Sequence, residues 1–247
     1  MLARTVSREI LDELAPDDPR ALRSRRDLLR VNRIMGTPGI LARAMLPSVG
    51  SRSGSGSMRV LELGAGDGRL MLGIARAVAR YWPPIELTLL DRQPLVEAAT
   101  CATFTGLGWS ARPQIMDVMD WVSAPAVSES YPPWDLIVTN LFLHHFDEQQ
   151  LPVLLSAIAA RCNAFLACEP RRALLALAGS HLMPVIGASR VTRHDAVLSV
   201  RAGFRGHELA SIWPRDRDEW QLHERKAGLF SHLFHATRTG IPTVSIA

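Results

Sequence analysis

The chain has 247 residues, 47% of them hydrophobic and 21% charged, with a formal net charge of +4. That is the size and make-up of one sizeable α/β domain with an extension. No apolar run approaches the ~20 residues that cross a bilayer, and the three cysteines are too few and too irregularly spaced for a disulfide framework. Cys101, Cys162 and Cys168 therefore read as reduced thiols. No signal-type apolar core opens the sequence, so a cytoplasmic location is expected.

In chain order, the first ~46 residues read as helical on their apolar spacing. Arg23, Arg26, Arg30 and Arg33 form one basic stripe, and Leu22, Leu28, Leu29 and Ile34 supply apolar surface. Residues 1–52 hold ten arginines against six acids, which is the whole charge excess; the remaining residues balance. A neutral body lacks the basic groove that a nucleic acid needs, so none is expected as a partner. Gly39 to Leu46 suggests a second short helix, and residues 1–47 together a helical lid. Residues 48–57, rich in serine and glycine, read as a flexible linker.

Residues 58–247 then form the main domain. Val60, Leu61 and Leu63 make a short buried strand that ends in Gly64-Ala65-Gly66-Asp67-Gly68. The glycines let the backbone turn sharply and approach a ligand, and a helix from about Arg69 to Arg80 aims free N–H groups at it. A dinucleotide fingerprint needs its third glycine at position 69, which is Arg, and no Gly-Lys-Ser/Thr follows for a phosphate loop. A second strand, Glu86 to Asp91, ends in an acid about 25 residues after Gly66, where doubly wound folds hold ribose hydroxyls. Asp91 fits equally as the cap of a helix starting near Pro94. A third strand is expected over Gln114 to Met116, with Asp120 capping the next helix, and a fourth over Trp134 to Leu141.

The run Glu62-Leu63-Gly64-Ala65-Gly66-Asp67-Gly68, with acids or amides at Asp91, Asp117 and Asn140, closely resembles class I S-adenosylmethionine-dependent methyltransferases. The resemblance runs from Met58 to about Glu169. It implies a doubly wound, seven-stranded, mostly parallel sheet closed by a C-terminal antiparallel hairpin, here with an N-terminal helical extension. It also implies S-adenosyl-L-methionine as cofactor, with S-adenosyl-L-homocysteine as product. Glu62 would lie under the methionine end, with Gly64, Ala65 and Gly66 close by, and Asp91 on the ribose. Arg92 would lie along the adenine, with Asp117 and Val118 reading its edge, and Asn140 and Leu141 would offer loop backbone. Arg33 either reaches the cofactor carboxylate or belongs to a solvated stripe.

Further on, Asp147 is expected to cap a helix to about Arg161, and Ala164 to Glu169 to form a fifth strand. Residues 171–192 read as a helical insertion over the site, Asp195 to Ala202 as the last crossover helix. Glu219 to Arg225 and Leu229 to Arg238 form the closing hairpin around Gly228. The fourth-strand exit lacks the Pro-Pro-aromatic run of nucleic-acid aminomethyltransferases, and no Pro-Cys pair offers a cytosine-type thiolate. A small-molecule acceptor is expected. His144 and His145 stand in that loop, and either can serve as base: imidazole titrates near ~6.5 and a phenol near ~10. One of them can equally cap the helix. No metal is expected. The run from Arg193 to Leu209 resembles methyltransferases that accompany type III polyketide synthases, which implies O-methylation of a phenolic or polyketide-type ring. C-methylation of a quinone-like ring is the alternative; from another class, an inactive methyltransferase-fold binding protein remains. Oligomeric state is not legible.

Overall fold

The structure, a computed structural model, describes residues 2–50, 56–125, 133–214 and 219–239. Its frame is a seven-stranded sheet in the order β3-β2-β1-β4-β5-β7-β6. The strands are β1 (Met58–Leu63), β2 (Ile85–Asp91), β3 (Ser110–Ile115), β4 (Leu136–Asn140), β5 (Ala164–Pro170), β6 (Trp220–Ala227) and β7 (Ser231–Arg238). β1 to β5 run parallel; β7 pairs antiparallel with β5 and with β6, the expected closing hairpin. The order reverses between β1 and β4, so a ligand crevice is expected outside their carboxyl ends.

Both faces of the sheet are covered, which is why its central strands are buried almost throughout instead of alternating. On one face α3 (Thr37–Gly50), α4 (Arg69–Val78) and α5 (Ala98–Gly106) bring Met45, Met71, Ile74 and Phe104 against Val60, Leu87 and Val138. On the other, α6 (Val118–Ser123), α7 (Gln150–Ala159) and α10 (Glu208–Ile212) bring Trp121, Leu154, Ile158 and Leu209 against Leu61, Ile137 and Phe165. Trp213 stacks on Phe165, with ring centroids 5.5 Å apart. Cys162 and Cys168 are buried, free thiols; burial pushes Cys168 up to about 12.

Several expectations change. The N-terminal extension is not helical from the start. Residues 2–9 form no helix or strand and are followed by α1 (Ile10–Glu13) and α2 (Pro19–Met35), where Asp18 caps the helix and Pro19 preorganises its first turn. Their chain instead follows α9 (Arg190–Ala202): Arg4 Nε donates to the Ala202 carbonyl at 2.8 Å, and the Asp195 carboxylate accepts from the Ile10 and Leu11 N–H groups at 3.0 Å. Leu22 and Ile34, expected as packing surface, are exposed. The Ser/Gly linker begins inside α3, which runs to Gly50, and residues 51–55 lie outside the described ones.

The third strand sits earlier than expected, and Asp117, not Asp120, caps α6 by accepting from Met119 N–H at 2.8 Å. Asp147 does cap α7, accepting from the Gln149 and Gln150 N–H groups at 2.9 and 2.8 Å. The stretch 171–192 contains α8 (Leu174–His181) and a 3-10 turn over Met183–Ile186, but it lies beside the crevice and contributes no lining residue.

Candidate active site

A cavity of about 690 Å³ opens at the carboxyl edge of the parallel strands. Its floor is the β1 exit. Gly64 and Gly66 have φ of +70° and +56°, a region side-chain-bearing residues rarely adopt. A Cβ at Gly64 would lie 2.3 Å from the Phe142 ring, so the β4 exit packs directly on this turn. Gly66 N–H donates to one Asp91 oxygen at 2.8 Å, and Gln93 N–H donates to the other at 2.9 Å. Two carboxyl ends of neighbouring strands are thereby tied together.

Glu62 sits beneath this turn, 2% exposed. Its Oε2 has no hydrogen-bond partner among the described residues. Burial, reinforced by Asp67 and Asp91, pushes its carboxyl well above the usual range. Asn140 also lines the cavity with an unpartnered buried oxygen. Leu141 next to it holds φ at +51°, the one described non-glycine residue in the left-handed region. Its N–H donates to the Cys168 carbonyl at 3.0 Å, which anchors the strained turn to β5.

The opposite wall is built from the N-terminal segment and the two histidines. Glu169, fully buried at the end of β5, accepts from the Phe142 and Leu143 N–H groups at 3.1 and 2.9 Å and from the His144 N–H at 3.4 Å. It also holds His144 Nδ1 at 2.8 Å, while Nε2 faces Glu9 at 3.3 Å. Ser199 donates to the same Glu9 carboxylate. Burial disfavours a charged ring, but the hydrogen bonds and charges of Glu169 and Glu9 outweigh it and raise His144 to about 9. For Glu9, burial opposes ionisation and the His144 contacts outweigh that, holding its carboxyl below the usual range. His145 is more open: its Nδ1 lies 3.0 Å from Asp12, and Arg92 reaches the same acid at 3.4 Å. Glu9, His144 and His145 could bring ligand atoms within 4.8 Å of one another, close enough for a metal ion. As they stand, however, the protonated His144 ring, with an N–H on each nitrogen, links the two carboxylates.

No family model matches the sequence, and no curated protein matches it. Solved structures do. The plantazolicin methyltransferase BpumL in complex with SAH (S-adenosylhomocysteine) superimposes with a TM-score of 0.61 at 12% identity, over 90% of this chain and 91% of that one. The mitomycin 7-O-methyltransferase MmcR gives 0.55 at 18% identity, over 93% and 60%. Magnesium protoporphyrin IX methyltransferase from Synechocystis PCC 6803, with bound SAH, gives 0.52 at 12% identity, over 87% and 86%. The chain has the Rossmann-like methyltransferase fold.

On that fold the sequence-predicted residues fall unevenly. Glu62, Gly64, Ala65, Gly66, Asp91, Arg92, Asp117, Val118, Asn140, Leu141, His144 and His145 all line the one cavity. Arg33 does not. It is exposed, because the face of α2 turned to the cavity carries Arg25, Leu28, Leu29 and Asn32, and Arg33 lies about 100° round from Asn32. Arg92 turns towards the carbonyl and carboxylate of Asp12, binding the N-terminal segment down. The cap reading of Asp91 gives way as well: α5 starts only at Ala98, behind Glu97. Glu9, Asp12, Arg25 and Glu169 were not singled out as site residues. Glu169 stood at a strand end like the others; Glu9 and Asp12 belong to no motif and reach the site only through the long-range path of the N-terminus.

Proposed function

We propose that the chain is an S-adenosylmethionine-dependent methyltransferase acting on a small molecule, by O-methylation of a phenolic or polyketide-type ring. The observation that carries this is Glu62, a buried carboxyl group beneath a glycine turn whose Oε2 has no hydrogen-bond partner among the described residues. Leaving such a group unpaired is costly, and the ammonium at the methionine end of the cofactor is the cation it lacks. Asn140 offers a second unused acceptor. Asp91 has both oxygens engaged with backbone N–H groups yet keeps lone pairs for ribose hydroxyls. Asp117 and Val118 also border the cavity, in keeping with the adenine contact that the resemblance implies for them. The similar folds are named for plantazolicin, for a 7-O position of mitomycin and for magnesium protoporphyrin IX, which supports a small acceptor.

S-adenosylmethionine supplies a methyl group on a sulfonium centre. The chain's own contribution is alignment and the handling of one proton. Of the two histidines, His144 keeps its proton to about pH 9 and so cannot take another at neutral pH. The base is therefore His145, whose Nδ1 is oriented by Asp12 and whose other nitrogen is left for the acceptor hydroxyl. Residues 2–13 close over the cavity as a lid, latched by Glu9 and Asp12 to the two histidines.

Calorimetry with S-adenosylhomocysteine and with NAD, then mass analysis of a phenolic panel with labelled cofactor, tests the reading. Micromolar binding of NAD with no response to S-adenosylhomocysteine would remove it. Labelled methyl on carbon would replace O-methylation by the quinone-type alternative. Tight S-adenosylhomocysteine binding without transfer to any acceptor would point to a binding protein.

A further inference from the structure

The segment between β5 and α9 carries an apolar surface that the fold does not use. Residues 171–192 contain no acid, and between Arg172 and Arg190 they contain no charged residue except through His181. α8 and the 3-10 turn after it are apolar on both sides. Ala176 is buried against the body, while Leu174, Leu175, Leu182 and Val185 are 74%, 54%, 63% and 82% exposed. A helix apolar all round is normally buried on all sides. The patch extends onto the β6–β7 turn: Phe230 packs at Gly179, its carbonyl accepts from Arg171 N–H at 2.7 Å, and Leu229 beside it is 61% exposed.

The rim of this patch is positive. Arg30 on α2 donates to the Ile186 carbonyl at 3.2 Å, which places the exposed basic stripe alongside. Arg26 and Arg33 lie one turn to either side of it, and Arg190 flanks the segment at its far end; all three are exposed, and none is paired with an acid among the described residues.

From this juxtaposition we propose that the face formed by α8, the following turn and the arginines of α2 docks on an anionic phospholipid surface. Exposed leucines and a valine within an arginine rim are the make-up of an element lying in a bilayer interface. A second copy is the weaker occupant: a two-fold interface sets the same patch against itself, so each arginine rim would face its own like charge. The placement also suits a lipid surface. α8 departs from Pro170, which pairs with Ser231 at the start of β7, so the patch lies at the same sheet edge as the cavity.

The test is flotation of the full chain with vesicles of phosphatidylcholine alone or with about one-third phosphatidylglycerol, at roughly 0.15 M salt. Anionic vesicles should bind roughly tenfold more protein, and the difference should shrink at high salt. Leu182→Asp with Val185→Asp should abolish binding while leaving the melting temperature unchanged, since both side chains are exposed. Arg26→Glu, Arg33→Glu and Arg190→Glu together should lower it by on the order of a hundredfold. Equal binding to both vesicle types, or anionic binding that survives the Leu182/Val185 change, overturns the proposal. So does a wild-type dimer in light scattering that this double variant dissolves, or no vesicle binding at all, which leaves the patch to a protein partner.

Discussion

The two walls of the cavity are built on opposite plans. Along the β1, β2 and β4 exits the chain offers backbone turns and leaves polar groups open: Glu62 Oε2 and Asn140 Oδ1 are buried with no partner among the described residues. Along the N-terminal wall the acids and histidines are matched: His144 lies between Glu9 and Glu169, and Asp12 between His145 and Arg92. Unpaired buried groups are tolerable where a ligand completes them, and paired ones where two segments must hold together. The first wall is thus a receptor and the second a clasp, which sets how substitutions on each side should differ.

The largest effect is expected on the clasp side, in rate alone. His145→Ala should lower turnover by ~10²–10⁴-fold, the usual worth of a general base, with S-adenosylhomocysteine affinity nearly unchanged. The loss should shrink for acceptors of lower phenolic pKa. Full turnover in the variant would leave positioning alone to account for catalysis. On the receptor side the pattern should invert. Gly64→Val forces a Cβ into the Phe142 ring and a left-handed φ onto a β-branched residue, so calorimetry should show binding weakened by ~10²-fold or more. Asp91→Ala should cost roughly 1.5–3 kcal/mol of the same affinity, as for a hydrogen bond to a charged group.

The receptor wall was legible in the sequence because its chemistry is local. Three glycines in five residues and an acid or amide at each strand end are signals of one strand and its turn, and a parallel sheet gathers strand ends at one edge. The clasp wall was not legible for the same reason. Glu9 meets His144 across 135 residues, and Asp195 caps α1 across 185. Nothing in the spacing of either partner announces such a contact. Arg33 is a different case: the spacing predicts a helix, but one residue of rotation, about 100°, decides which arginine looks inward.

The clasp should also show in stability against pH. His144 has a folded value of about 9 against an ordinary value of 6.5, so its pairing stabilises fully below about 6.5 and is lost as pH rises through 9. Glu9, held below its ordinary value, adds stability that is lost on the acid side instead. Unfolding free energies from urea titrations should therefore fall between pH 7 and 10 by at most about 3 kcal/mol, and His144→Gln should flatten that slope. Chelation with EDTA should leave the curve where it is. A midpoint that drops on chelation would mean that a metal ion, not a proton, joins Glu9 to His144.

The smallest effect separates two arginines of one helix. Arg25 lines the cavity, donating to the Pro16 carbonyl at 2.7 Å and to Gln93 Oε1 at 2.9 Å, one residue from Arg92 and two from Asp91. It therefore ties α2 to the β2 exit on the receptor wall. Arg33 does neither, being exposed on the neighbouring strip of α2. Arg25→Ala should weaken S-adenosylhomocysteine binding by about 1 kcal/mol, the worth of an ordinary hydrogen bond, and should speed amide exchange in residues 10–18. Arg33→Ala should leave both unchanged. Because the two residues share one helix and one charge, helix propensity and net charge cancel between the variants, and only the direction of the side chain differs. Equal losses from both would mean that long-range charge governs affinity, while a loss from Arg33 alone would mean that α2 rotates by about a quarter turn when the cofactor binds.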